Sequence, residues 1–207
     1  MGLLEAILGV VAPPLCVVCG RTCAASRSLC GECAAELARS RAPAGPRPTG
    51  VDVAWAAAAY DGVARELVAA LKFRALLGCA EPIAEAIALR APPEVLCGRL
   101  VPVPASRSRL RSRGFDPAGQ IAELLALRTG LELAPCLARR DGPPQVGRPR
   151  RERLARAPVV ALVAPAPRTA VLVDDVQTTG ATLAACAAAL RRGGSRRVAA
   201  VSFARAG

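Results

Sequence analysis

From residue 51 onward, short apolar runs alternate with segments whose apolar residues recur at the spacing of an α-helix. The apolar runs predict strands at residues 53–60, 99–103, 159–163, 170–173 and 197–203. The segments with helical spacing predict helices at residues 62–73, 81–90, 116–129 and 181–192. Because strands and helices alternate along the chain, this pattern favours an α/β fold in which a parallel sheet is flanked by helices on both faces.

The order of these segments predicts two modules joined by a linker. Residues 1–40 are rich in cysteine and predict a small N-terminal module, whereas residues 41–50 are rich in Pro, Gly and Arg and predict the linker. Residues 51–207 then form the main domain. Within it, residues 139–156 have no periodicity and predict a mobile loop.

The start of the chain is apolar but too short to cross a membrane, which takes about 20 apolar residues. Glu5 stands where a signal peptide needs positive charge, and Pro13 ends the apolar run. We therefore expect a short amphipathic helix that packs on the rest of the chain. The same observations predict a cytoplasmic protein without a membrane span.

Composition excludes several classes of catalyst. The 207 residues contain no histidine, so Ser-His-Asp and Cys-His nucleophile systems and histidine metal ligands are absent. Aromatic residues make up 2%, which leaves few platforms for base stacking. The formal net charge is +12, and nearly all of the positive charge is arginine, Lys72 being the single lysine. Coding bias on solvated surfaces and an anion-binding face both explain that charge.

Two Cys-x-x-Cys pairs lie close together in the N-terminal module, Cys16 with Cys19 and Cys30 with Cys33. Two such knuckles supply four thiolates for a tetrahedral metal site, and a site filled by four protein ligands is structural. We predict structural Zn²⁺, with an iron–sulfur centre or buried reduced thiols as the alternatives. Cys23 is a competing ligand. We expect the other cysteines to be core residues: Cys79, Cys97, Cys136 and Cys186.

Residues 171–183, VLVDDVQTTGATL, combine an apolar strand, two acids, a turn of small residues and the start of a helix. A helix N-terminus offers unpaired N–H groups and the positive end of the helix dipole, which favour a phosphate. The hydroxyls of Thr178, Thr179 and Thr182 add donors, and Gly180, in the same small-residue turn as Ala181, lets the backbone approach an anion closely. Asp174 and Asp175 would hold the hydroxyls of a sugar or a Mg²⁺ ion carried by a diphosphate. Helix capping and solvated acids are the plainer interpretation.

VLVDDVQTTGATL resembles the 5-phosphoribosyl-1-pyrophosphate (PRPP) motif of type I phosphoribosyltransferases. Together with the four-cysteine module, it resembles the ComF family of bacterial competence-related proteins. Two more segments are similar to that family: Tyr60-Asp61-Gly62 followed by Leu71-Lys72-Phe73, and residues 101–106 (VPVPAS) followed by Arg113-Gly114-Phe115. The chain reads Asp116-Pro117 where the family often has Asn-Gln. It also carries Arg148 and Arg156 at positions where the family has Leu and Asn.

The resemblance implies a type I phosphoribosyltransferase fold with a small N-terminal zinc-ribbon-like module, and a ligand that is PRPP with Mg²⁺ or a related phosphoribosyl compound. It implies that Asp174 and Asp175 hold the ribose hydroxyls and that residues 178–182 hold the 5-phosphate. It further implies that Ala105, Ser106 and Arg107 form a loop near the pyrophosphate. From the residues themselves, Lys72 is a candidate phosphate contact, and Asp175 is a candidate general base because histidine is missing.

Two groups of arginines remain. Those after the VPVP segment alternate with other residues, which predicts an extended loop with its arginines on one side; they are Arg107, Arg109, Arg111 and Arg113. The second group falls in the predicted mobile loop: Arg148, Arg150, Arg151, Arg153 and Arg156. Either group could clamp pyrophosphate, follow a DNA backbone, or be solvated.

Two functions follow from these observations. The first is a phosphoribosyltransferase that moves the phosphoribosyl group of PRPP to an acceptor that the sequence does not identify. The second is a non-catalytic accessory protein that handles single-stranded DNA with the competence machinery during natural transformation, its PRPP pocket serving as a sensor or relic.

Overall fold

The computed structural model describes residues 14–24, 27–140 and 158–207 of the chain. The helices in these ranges are α1 (Gly31–Arg39), α2 (Gly62–Arg74), α3 (Ala80–Arg90), α4 (Arg107–Arg113), α5 (Pro117–Thr129) and α6 (Ala181–Arg192). The strands are β1 (Val53–Ala59), β2 (Arg99–Pro102), β3 (Leu137–Arg140), β4 (Val159–Leu162), β5 (Thr169–Gln177) and β6 (Arg197–Arg205). One short 3₁₀-helix, Leu77–Cys79, joins α2 to α3.

Four of the strands form a parallel sheet in the order β1-β6-β5-β2. The two long central strands, β5 and β6, pair from Thr169 opposite Arg197 to Gln177 opposite Arg205. Strands β3 and β4 form a separate antiparallel pair. The predicted α/β class and parallel sheet are thereby confirmed.

Apolar residues pack on both faces of the sheet because successive side chains of a strand point to opposite sides. On one face, Val171 and Val173 of β5 join a core with the buried residues of α2, α3 and α5. On the other face, Ala170 and Leu172 join a second core with α6 and the β3–β4 pair. The expected helices on both faces are therefore present.

The four-cysteine segment packs directly against helix α2. Cys30, Cys33 and Leu37 belong to the same apolar core as Leu67 and Leu71 of α2. Polar contacts secure both ends of that helix. At its N-terminus the N–H of Val63 donates to Oε1 of Glu36 over 3.3 Å, and at its C-terminus Arg74 donates to the carbonyl of Val17 over 3.2 Å.

Three local predictions were wrong. Residues 107–113 form helix α4 rather than an extended loop, because Ser106 caps its N-terminus and Gly114 ends it with φ of +78°. Strand β5 continues to Gln177, so Asp174 and Asp175 lie within the strand and not beyond its end. Arg139, assigned to a loop, lies in β3, where it pairs with Val160 of β4.

Some predictions lie outside the described residues. They are the N-terminal amphipathic helix and the second arginine group, Arg148, Arg150, Arg151, Arg153 and Arg156. Within the described ranges, none of the helices combines the length and apolar character that a membrane crossing requires.

Candidate functional site

The carboxyl ends of three parallel strands open onto one cleft of about 430 Å³. Ligands bind in this position in open α/β sheets because the helix N-termini and the strand-to-helix loops converge there. Strand β1 leads to Tyr60, β2 leads to Ala105, and β5 carries Asp174 and Asp175 into the cleft wall. The fold thus brings together residues that are far apart in the sequence.

Asp175 is held by an ion pair. Its Oδ1 lies 2.7 Å from Nζ of Lys72, and only 9% of the Asp175 side chain and 19% of the Lys72 side chain are exposed. Lys72 lies in the last turn of α2, whose core residues pack on the same face of the sheet as Val171 and Val173. Alternation along β5 places Asp175 on that face, so α2 and β5 together position the pair.

Asp174 has a different environment from its neighbour. Its Oδ1 accepts a hydrogen bond from the backbone N–H of Asp175 over 2.9 Å. Burial, and then the charge of Asp175, raise the pKa of Asp174 well above its usual range, although the nearby Lys72 partly opposes them. The cleft therefore contains a carboxyl that resists ionisation while no cation or hydrogen-bond donor from a ligand is present.

The turn after β5 forms a small recess of about 30 Å³ that adjoins the cleft, and residues 177–183 line it. We call residues 178–182 the phosphate loop, after the phosphate that their sequence pattern predicts there. Gly180 adopts φ of +74°, and a Cβ on it would lie 3.0 Å from Cγ of Pro48, so glycine is needed here. Thr179 accepts a long hydrogen bond, 3.4 Å, from the N–H of Ala181, and α6 begins at that residue. Thr178 and Thr182 line the main cleft with Thr179 and Ala181.

A further part of the cleft wall comes from the loop after β2 and from α4. Ala105 lines the cleft, whereas buried Ser106 serves as the N-cap of α4 and accepts from the N–H of Arg109 over 3.4 Å. Arg107 is exposed and is not among the lining residues. Arg109 and Arg113 line the cleft instead, because residues four apart share one face of a helix.

One half-buried carboxyl in the cleft was not among the predicted site residues. Asp116 lines the cleft and caps α5, where its Oδ1 accepts from the N–H of Ala118 over 3.2 Å. Burial raises the pKa of Asp116, and the charge of Asp175 adds to that shift. The sequence did contain a signal, since Asp followed by Pro is typical of a helix start, but that pattern does not reveal that the start faces a cleft.

The four predicted cysteines converge. Their four sulfur atoms all lie within 4.8 Å of one another; the residues are Cys16, Cys19, Cys30 and Cys33. Burial raises the pKa of Cys16, but backbone N–H groups, first those of Cys19 and Cys30, outweigh it and lower the pKa to about 6. These thiols are positioned to bind a metal ion, and four sulfur ligands are compatible with structural zinc.

The remaining cysteines are separate from this group. The thiol of Cys23 donates to the carbonyl oxygens of Arg27, over 3.0 Å, and of Pro14, over 3.4 Å. Three of the others are buried as expected, namely Cys79, Cys136 and Cys186, whereas Cys97 is only half-buried. Within the described chain, the metal-ligand group therefore consists of the four predicted thiols without Cys23.

Comparisons with known proteins add no assignment. No protein-family model matches the chain, and no curated protein matches it. Functional inference therefore depends on the cleft and on the sequence resemblance.

Proposed function

We propose that this chain is a ComF-like member of the phosphoribosyltransferase family that binds PRPP with Mg²⁺ and transfers its phosphoribosyl group to an acceptor. One observation carries the proposal. The two adjacent acids of β5, the phosphate loop, Arg109 and Arg113 all line the same cleft. A phosphorylated sugar with a second anionic group needs such a site, with donors for phosphate at one end and cations at the other.

Each group has a place in this scheme. The phosphate loop takes the 5-phosphate through its backbone N–H groups and hydroxyls, and Asp174 and Asp175 accept hydrogen bonds from the ribose hydroxyls. Ala105, Arg109 and Arg113, which line the cleft, would face the pyrophosphate, and Lys72 adds a cation near Asp175. The acidic oxygens of the cleft wall fit Mg²⁺, which prefers oxygen ligands and, when bound with the ligand, neutralises charge on the diphosphate.

In the transfer step, a lone pair of the acceptor forms a bond to C1 of the ribose while the bond from C1 to the pyrophosphate oxygen breaks. The bonding electrons leave with pyrophosphate, where arginine guanidiniums offset the developing charge. Asp175 is the residue that we assign to accept a proton from the acceptor, since it lies in the cleft wall and no histidine is present. Most of the rate enhancement would come from positioning and from charge stabilisation.

We assign a structural role to the metal site. Its four sulfur ligands leave no open coordination position for a substrate, and their segment packs on α2, which carries Lys72. A zinc ion held there would fix the segment against the domain that contains the cleft.

A second candidate function is the handling of single-stranded DNA, and one exposed feature favours it. Helix α4 buries none of its residues, and the guanidinium of Arg113 lies 5.5 Å from the ring centre of Phe73, which is 74% exposed. An exposed aromatic ring beside arginines is the combination on which bases stack while phosphates are neutralised. Titration with a single-stranded oligonucleotide tests this function, and its affinity must fall steeply as salt rises.

Calorimetric titration with PRPP in the presence of Mg²⁺, followed by detection of released pyrophosphate with nucleobases and amines, tests the main proposal. The Asp175→Asn variant is expected to lose PRPP binding by about tenfold or more. Glu85→Gln is the matched control, since Glu85 is an exposed acid on α3 and lines none of the cleft. Binding that is absent in the unmodified chain, or equal in Asp175→Asn and Glu85→Gln, would overturn the proposal. Binding without pyrophosphate release from any acceptor would favour the sensor role.

A further inference from the structure

Arg205 is a buried arginine at the carboxyl end of the central strand β6. Only 9% of the residue is exposed, and it lies opposite Gln177 in the register between β6 and β5. Gln177 directly precedes the phosphate loop. The guanidinium therefore lies behind the loop, on the protein side and away from the cleft wall.

The contacts of Arg205 are to neutral groups. Its Nη2 donates to Oε1 of Gln177 over 3.1 Å, and its Nη1 donates to the carbonyl of Pro43 over 3.3 Å. Its Nε is buried without a hydrogen-bond partner in the described parts of the chain, and none of the ion pairs found there includes Arg205. Burial lowers the pKa of this guanidinium, although arginine stays charged at neutral pH.

A buried cation that none of the carboxylates in the described ranges neutralises costs stability, so its position calls for a reason. The same side chain connects three segments around the phosphate loop. Gly45 lies so close that a Cβ built on it would be 3.3 Å from Cδ of Arg205, and Pro48 of the same segment packs on Gly180. The Nε2 of Gln177 would lie 3.8 Å from a Cβ on Gly180. Segment 43–48 and Gln177 thus lie against Gly180 of the loop, and Arg205 joins that segment to Gln177.

We propose that Arg205 is a positioning residue for the phosphate loop: through Gln177 and Pro43 it holds the loop in its anion-binding form, and its uncompensated positive charge favours a phosphate dianion there. This inference rests on the proposed function, because it takes the loop to be the 5-phosphate site. Arg205 itself does not touch the ligand. Its influence is confined to one end of the cleft, since the pyrophosphate side is formed by Ala105, Arg109 and Arg113.

Two small ligands that each occupy one end of the cleft provide the test. Ribose 5-phosphate probes the loop, and inorganic pyrophosphate with Mg²⁺ probes the α4 side. The Arg205→Met variant is expected to bind ribose 5-phosphate about tenfold more weakly, because one nearby positive charge and the Gln177 contact are lost. Its affinity for pyrophosphate should change by less than about twofold. General loosening of the fold would weaken both ligands alike.

Arg197 is the matched control. It lies at the opposite end of β6, donates to the carbonyl of Glu94 over 2.6 Å, and also has a buried Nε without a partner among the described residues. Arg197→Met should leave the ratio of the two affinities unchanged. Arg205→Lys, which keeps the charge, should recover part of the ribose 5-phosphate affinity.

Failure of each idea gives a distinct result. If the unmodified chain binds neither ligand, the proposed function fails and this inference falls with it. If the unmodified chain binds both and Arg205→Met keeps the same affinity ratio, only the role of Arg205 is wrong. If Arg205→Met does not give a cooperative thermal transition, Gln177→Met replaces it, because this variant removes the hydrogen bond between Arg205 and Gln177 at the Gln177 end. It must then lose ribose 5-phosphate affinity and keep pyrophosphate affinity. An unchanged ratio in Gln177→Met would likewise overturn the proposal.

Discussion

The ammonium of Lys72 lies 2.7 Å from Oδ1 of Asp175, and this ion pair joins the last turn of helix α2 to the central strand β5 at the wall of the cleft. Lys72 is the single lysine of the chain, in which arginine otherwise supplies the positive charge. A lysine places a compact charge on a flexible stem, whereas arginine needs room for a planar fork. The pair therefore connects the helix that packs on the four-cysteine segment with the acids of the cleft.

Removal of Lys72 should reduce stability as well as ligand affinity. The Lys72→Met variant leaves Asp175 as a largely buried carboxylate without its cation, beside a second acid at Asp174. Because both partners are mostly shielded from solvent, we expect a loss of about 1–3 kcal/mol in unfolding free energy at pH 7. Urea unfolding measures that loss, and calorimetry measures the weaker PRPP binding.

Lys72→Arg serves as the conservative comparison for this prediction. It keeps the charge and should recover most of the stability, although the larger fork need not restore ligand affinity. Equal unfolding free energies for Lys72→Met and the unmodified chain would show that the ion pair makes no net contribution.

Removal of the Asp174 charge should stabilise the folded chain. Because the folded pKa of Asp174 is raised, the folded state holds a proton that the unfolded state has released, and stability falls as pH rises above the ordinary aspartate pKa. Asp174→Asn abolishes this penalty and keeps an oxygen to accept from the N–H of Asp175. At pH 7 we expect its Tm to be higher by about 3 °C, the shift that roughly 1 kcal/mol gives in a chain of this size.

Thermal melts of Asp174→Asn, the unmodified chain and Glu85→Gln, measured at a series of pH values from about the ordinary aspartate pKa up to neutral pH, check this prediction. The difference between Asp174→Asn and the unmodified chain should grow with pH, and Glu85→Gln should not show it. If the Tm of Asp174→Asn stays below that of the unmodified chain at every pH, the ionised Asp174 does not destabilise the folded chain and the prediction is wrong. The same variant should bind PRPP more weakly, so the residue trades stability for binding.

Most helices and strands of the main domain could be predicted from hydrophobic spacing, but helix α4 and strand β3 could not. Helix α6 begins and ends at the predicted residues, 181–192, and strand β1 differs from its prediction by one residue. Helix α4 was missed because its sequence, RSRLRSR, contains no apolar face; its ends depend on Ser106 and Gly114 instead. Spacing rules detect burial, and α4 buries none of its residues.

The part of the site that one contiguous segment contains could be predicted from its own pattern, whereas Lys72 and Ala105, which also line the cleft, were predicted from the single lysine and from the family resemblance. The phosphate loop, Asp174 and Asp175 lie in a single stretch, and so do the paired cysteines. Arg109 and Arg113 face the cleft only because residues 107–113 form a helix, which the prediction of an extended loop conceals. Arg205 is 162 residues from Pro43 in the sequence, and only the register of β5 with β6 brings it behind the loop.

Gly180 should tolerate no side chain. In Gly180→Ala the new Cβ lies 3.0 Å from Cγ of Pro48, and the residue must hold φ of +74°. Backbone strain and steric overlap therefore both lower the free energy of unfolding. Gly130→Ala is the control, because Gly130 has φ of +72° but nothing within 4 Å of a Cβ built on it, and it ends α5 away from the cleft. We expect Gly130→Ala to cost about 1 kcal/mol in unfolding free energy and Gly180→Ala to cost roughly twice that. Equal costs would mean that Pro48 yields to the new methyl group, and unchanged phosphate affinity in Gly180→Ala would mean that the loop adapts to it.

Loss of the metal site should weaken the cleft, because the two are joined through α2. Glu36 follows the last cysteine of the cluster by one helical turn and accepts from the N–H of Val63, while Arg74 holds the carbonyl of Val17 at the far end of the helix. In Cys30→Ser, elemental analysis should find zinc well below the single equivalent expected of the unmodified chain, and Tm should fall by about 10 °C. The PRPP affinity of Cys30→Ser should fall as well, since Lys72 lies in the last turn of the same helix. Cys97→Ser changes a half-buried cysteine outside the cluster and should leave zinc content, Tm and PRPP affinity unchanged. If Cys30→Ser loses zinc and still binds PRPP as tightly as the unmodified chain, α2 does not connect the metal site to the cleft. If the unmodified chain contains iron and absorbs visible light, and contains no zinc, the four thiols hold an iron–sulfur centre.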